Sequence, residues 1–132
     1  MSSYAKYKDL GDKEKSSKNS SKNEPDFPVV ELKNMTQKKQ LIESHNVCVI
    51  KVWAEWCGPC KQVAKKYAEL ARVYSKAGFC LLVKEEADLG LSPSVKGIPA
   101  FLFYKNGEFA GDIMGPDIKS VEIKLKSLLG MH

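Results

Sequence analysis

Across 132 residues the chain carries a formal charge of +5 and 43% apolar side chains, enough for one domain with a short polar extension. Residues 1–24 hold six lysines against Asp9, Asp12, Glu14 and Glu24, so the charge excess on the rest is mild and gives no reason to invoke a nucleic-acid partner. No apolar run approaches the roughly 20 residues of a membrane span and no leading stretch resembles a signal peptide, so the expected setting is the cytoplasm and the expected form a monomer.

Residues 1–24, with the run Ser16-Ser17-Lys18-Asn19-Ser20-Ser21-Lys22-Asn23, have too little apolar surface to offset the entropy of ordering and are read as a disordered tail. Residues 25–132 form the expected domain. Phe27 to Lys33 is predicted as a first strand, and Thr36 to Ser44 as a helix with Leu41 and Ile42 facing inward. Val47 to Ala54 is a buried strand rich in β-branched and aromatic residues, interrupted only by Lys51. The period then changes. Val63, Tyr67, Leu70, Ala71 and Tyr74 share one helical face, and Gly78 is the expected stop. Phe79 to Val83 is a further strand, and Glu85 to Lys96 a polar connection with a short helix around Leu89. Pro99 to Tyr104 and Glu108 to Met114 flank Asn106-Gly107, a hairpin signal. A last helix after Gly115-Pro116-Asp117 places Ile118, Val121, Leu125, Leu128 and Leu129 on one face. The order βαβαββα predicts an α/β fold, a central mixed sheet with helices on both faces. Ligands collect at the carboxyl ends of the strands of such sheets.

Trp56-Cys57-Gly58-Pro59-Cys60-Lys61 lies at one such end, between a strand and a helix. A helix N-terminus favours an anion and lowers a thiol pKa from about 8.5, so Cys57 suits a thiolate nucleophile. Cys60 follows closely enough to attack a mixed disulfide formed on Cys57. Pro59 fits a first helical turn, and Gly58 is read as permitting a tight turn beside the sulfurs. Zinc is a poor alternative, because Cys48, Cys80, His45 and His132 lack ligand spacing, and no metal is expected. Cys48 and Cys80 fall in apolar strands and are expected to behave as small inert hydrophobes rather than as a regulatory disulfide.

The segment Ala54 to Lys61, with Gly97-Ile98-Pro99 and Lys105-Asn106-Gly107-Glu108, resembles thioredoxin over about residues 27 to 130. That resemblance implies a thioredoxin fold and a protein thiol-disulfide oxidoreductase, with Cys57 as nucleophile and Cys60 as resolving thiol. It implies a cis Pro99 beside the sulfurs, with Ile98 offering its backbone to an extended substrate segment. Trp56, Gly97, Ile98, Pro99 and Gly115 would frame an apolar contact surface for disulfide-containing proteins. With no GxGxxG motif there is no visible dinucleotide site, so no cofactor beyond the redox disulfide is expected and a partner such as thioredoxin reductase would supply electrons.

The chain departs from the family at Lys51, where thioredoxins usually place a buried aspartate. The family's partner lysine, expected near Cys80 by spacing from Pro99, is missing there, and Lys65 replaces a common kinking proline. Lys51 could be an ammonium that stabilises a thiolate, a neutral amine acting as base, or a bystander that snorkels to solvent or pairs with a carboxylate such as Glu85. The competing function is a docking or assembly subunit with little redox role.

Overall fold

The computed structural model describes residues 28–131; the predicted tail and Phe27 lie outside them. In chain order these residues form β1 (Glu31–Leu32), α1 (Met35–Glu43), β2 (Val47–Trp53), α2 (Gly58–Tyr74), β3 (Cys80–Glu86), a 3₁₀ turn (Ala87–Leu89), β4 (Ala100–Lys105), β5 (Glu108–Met114) and α3 (Ile118–Leu128). The order is the expected βαβαββα. Among the described residues one sheet has the order β1-β3-β2-β4-β5, parallel at β1/β3 and β3/β2 and antiparallel at β2/β4 and β4/β5.

Strand alternation divides the core in two. Val47 and Val49 of β2, Leu82 of β3 and Phe101 and Phe103 of β4 meet Val63, Tyr67, Leu70 and Ala71 of α2 and Val121 and Leu125 of α3. On the other face Cys48, Ile50, Val83 and Leu102 meet Leu41 and Ile42 of α1. Each helix has a side-chain cap at its start: Asn34 Oδ1 accepts from Gln37 N at 2.9 Å, Cys57 Sγ from Cys60 N at 3.1 Å, and Asp117 Oδ1 from Ser120 N at 3.1 Å. The hairpin turn matches its sequence signal, since Asn106 and Gly107 have φ of 51° and 85°, as the twist-compatible two-residue turn requires.

Several boundaries differ from expectation for physical reasons. β1 is only two residues long, because only Glu31 and Leu32 align with β3, at Lys84 and Glu85. β3 starts one residue later and runs three further, through Lys84, Glu85 and Glu86. Those charges are tolerated because Glu31 sits beside Lys84, and Lys38 reaches the fully buried Glu85. Phe79 is exposed and precedes the strand. α2 is one uninterrupted helix that ends at Tyr74 with Ser75 as its cap, and Gly78, at φ 72°, serves instead the tight reversal in which Lys76 and Cys80 exchange backbone hydrogen bonds.

Candidate active site

At the carboxyl end of β2 the chain turns through Ala54, whose carbonyl accepts from Cys57 N at 3.1 Å. Cys57 then caps α2, with Pro59 in the first turn, where its missing N–H costs nothing. Cys57 and Cys60 form a disulfide with a Cα–Cα distance of 5.3 Å. Both are largely covered, Cys57 at 5% and Cys60 at 1% exposure, and Ala54, Trp53 and Ile98 pack around them. When the disulfide is reduced, a thiolate on Cys57 faces the positive end of a 17-residue helix and the Cys60 N–H that caps it. Gly58 does not sit in the left-handed region, and a Cβ there would meet nothing within 4 Å, so the expected tight-turn requirement is absent.

Trp56 is 70% exposed, which makes it a rim residue rather than part of the core. The Ile98-Pro99 bond is cis. Gly115 N donates to the Pro99 carbonyl at 2.8 Å and so ties the exit of β5 to this segment. Trp56, Val95, Gly97 and Ile98 line an open hollow of about 270 Å³, and Ile98 also packs on the disulfide. The structure therefore gathers Trp56, Cys57, Cys60, Gly97, Ile98, Pro99 and Gly115 at one end of the sheet. Glu55 and Lys61, 3.8 Å apart on the surface, add little.

Lys51 points into the α2/α3 face and is 3% exposed. Its Nζ lies 5.6 Å from the centroid of the Tyr67 ring, and Tyr67 and Cys60 are both inward residues of α2. The suggested partner Glu85 lies on the opposite face, paired with Lys38, because strand alternation sends neighbours of Lys84 the other way. Directly beside Lys51 in the β2/β3 register stands Lys84. Its Nζ is 3.8 Å from Glu31 Oε1 and 5.2 Å from the centroid of the Trp53 ring, and Trp53 Nε1 donates to Glu31 Oε2 at 3.0 Å. Burial lowers the Lys51 pKa to about 8, the Lys84 charge pushes the same way, and Glu31 opposes both.

A lysine next to Lys51 is thus present, not missing. It lies four positions beyond Cys80, because β3 carries its charged residues at its carboxyl end. The usable signal was the alternation Cys80, Leu82, Lys84 set against Val47, Val49, Lys51, which places both lysines on one face.

Cys48 and Cys80 are free and buried. Cys80 stands beside Val47 and Cys48 beside Leu81, so the two thiols project to opposite faces and cannot bridge as the sheet stands. Burial pushes both thiols up to about 12. Among the described residues no group of three or more His, Cys, Asp or Glu side chains is arranged to hold a metal ion.

Comparison with known proteins agrees with this geometry. The Thioredoxin family model matches residues 28–127. The thioredoxin of Buchnera aphidicola is 31% identical over 106 residues, covering 79% of this chain and 94% of that protein. Thioredoxin-1 of Schizosaccharomyces pombe is 29% identical over 102 residues, covering 76% and 99%. The crystal structure of oxidised mitochondrial thioredoxin 3 from Saccharomyces cerevisiae superposes with a TM-score of 0.67 at 30% identity, over 75% of this chain and 94% of that one. A disulfide whose first cysteine caps a helix and which packs against Ile98, within a sheet of this order and over this extent of similarity, leaves one conclusion: the chain belongs to the thioredoxin family and is a thiol-disulfide oxidoreductase.

Proposed function

We propose that the chain reduces disulfides in other proteins through Cys57 and Cys60. The observation that carries this is the placement of Cys57 as the helix cap, with the Cys60 N–H on its sulfur. In the reduced form the Cys57 thiolate attacks one sulfur of a substrate disulfide, forming a mixed disulfide and releasing the other sulfur as a thiolate. Cys60 loses its proton and attacks Cys57, which re-forms the Cys57–Cys60 disulfide and frees the second substrate thiol. Two electrons leave the chain in each cycle, and a reductase of the thioredoxin reductase type restores them.

Substrate recognition falls to Trp56, Gly97, Ile98, Pro99 and Gly115, with Ile98 pairing its backbone with an extended substrate segment. Lys51 is the proton acceptor in this scheme. A pKa of about 8 leaves part of its amine neutral near neutral pH, and it shares the α2 face with Cys60. A docking role without redox chemistry is not favoured by a cysteine pair set at a helix N-terminus. The proposed compartment is the cytoplasm, since a close catalytic cysteine pair works where thiols are kept reduced. Relatives with mitochondrial and chloroplastic names indicate that the family also works in other compartments.

Insulin reduction driven by dithiothreitol tests the proposal, comparing wild type with Cys57→Ser. The wild type should shorten the lag before insulin precipitates, and Cys57→Ser should match dithiothreitol alone. Equal rates in the two proteins would overturn it.

A further inference from the structure

Lys38 of α1 is 4% exposed, an unusual position for an ammonium. Its ammonium donates to the Leu91 carbonyl at 2.8 Å and to Ser92 Oγ at 2.7 Å, and lies 3.0 Å from Glu85 Oε1. The contact with Glu85 is an ion pair by distance without hydrogen-bond alignment, and neither Glu85 oxygen has a hydrogen-bond donor among the described residues. Burying two charges costs several kcal/mol each, and their attraction often does no more than balance it. Stability alone therefore does not account for this pair.

Its location suggests a different role. Leu91 and Ser92 begin the irregular segment that ends in Gly97, Ile98 and cis-Pro99. Leu91, Val95 and Ile98 pack against the core beneath it. On its flanks, however, the segment borders two hollows, of about 270 and 430 Å³, and Ser92, Pro93, Val95 and Lys96 line both. The segment thus has open space beside Ser92, Pro93, Val95 and Lys96, and the two Lys38 hydrogen bonds hold its start.

We propose that Lys38, anchored by Glu85, is a positioning residue for substrate recognition, which sets Leu91 and Ser92 and through them the placement of the Gly97-Ile98 edge. This rests on the reading that Ile98 pairs with an extended protein substrate. Lys38 touches neither sulfur, so its loss raises KM for a protein disulfide and leaves the intrinsic reactivity of the cysteine pair alone.

The test compares wild type, Lys38→Arg, and the double variant Lys38→Met/Glu85→Leu, which removes both charges and avoids leaving one buried and unpaired. Urea melts report folding, insulin reports protein-disulfide reduction, and 5,5′-dithiobis(2-nitrobenzoic acid) reports reaction of the reduced pair with a small disulfide. The double variant should still unfold in one cooperative urea transition and react with the small disulfide within about twofold of wild type. Its KM for insulin should rise about fivefold or more, the scale of one or two lost hydrogen bonds. Lys38→Arg, which keeps the donors, should recover most of that loss. An unchanged insulin KM in the folded double variant, or a parallel loss with the small disulfide, would overturn the proposal. A wild type that reacts with the small disulfide but not with insulin would remove the substrate reading and the proposal together.

Discussion

Lys51→Met is expected to make the oxidised protein more stable at neutral pH. A fall of the Lys51 pKa from 10.5 to about 8 means that the folded state holds this proton less well than the unfolded chain. At 1.36 kcal/mol per pH unit the charged form costs about 3 kcal/mol. The Tyr67 ring below the ammonium returns about 0.5–2 kcal/mol. Methionine matches the length of the stem and fills the same space, so the net gain should be about 1–3 kcal/mol. At this domain size each kcal/mol raises Tm by about 4–8 °C.

The pH dependence is the sharper check on the same idea. Because the folded pKa lies below the unfolded one, the unfolded chain binds more protons between about 8 and 10.5, and wild-type stability rises with pH through that window. The advantage of methionine should be complete at about pH 7 and mostly gone by about pH 10. Urea melts of the two oxidised proteins at both values measure it. A Met variant no more stable than wild type at neutral pH, or a gain that does not shrink on alkalinisation, would show that the ammonium is not desolvated as its burial implies.

Other expectations follow from the site and the core. In the reduced protein at neutral pH, iodoacetamide should modify Cys57 before Cys60, because Cys57 caps the helix and is the less covered of the two; peptide mass mapping that finds Cys60 labelled first would reverse the proposed roles. Tyr67→Phe should cost about 1–2 kcal/mol in urea melts, since the buried hydroxyl donates to the Val83 carbonyl at 2.7 Å and also lies 3.1 Å from that of Val49; an unchanged midpoint would mean that these carbonyls do not need it. Deleting residues 1–24 should leave insulin reduction and thermal stability nearly unchanged, because that stretch carries few aliphatic side chains; a loss above about 1 kcal/mol would show that it contributes to the domain.

Local signals carried most of the architecture. The CGPC segment between an apolar run and a helical period located the redox pair, and Asn106-Gly107 located the hairpin to the residue. The apolar stripe Ile118, Val121, Leu125, Leu128 and Leu129 identifies α3 in the same way. What escaped was non-local. Lys38 and Glu85 look like solvent-facing charges, and only the packing of α1 on the sheet brings them together across 47 positions. Glu31, Lys84 and Trp53 likewise meet because β1, β3 and β2 lie side by side, a fact of register rather than of composition. The end of β3 is hidden for the same reason, since charged residues read as a loop until their partners across the fold are known. Gly58 reads as a turn glycine in the sequence, but its backbone lies outside the left-handed region.

The opposite orientation of Cys48 and Cys80 gives the molecule a pair of internal stability gauges. Each thiol sits at full cover in one half of the core, and neither is reactive while that half stays closed. With Cys57 and Cys60 held as their disulfide, slow alkylation of Cys48 reports opening of the α1 side, and that of Cys80 opening of the α2/α3 side. Equal labelling free energies would mean that the sheet comes apart as one cooperative unit, and unequal ones would identify the layer that opens first. The alternation that keeps these sulfurs apart thus lets two residues with no part in the proposed chemistry measure how the two layers hold together.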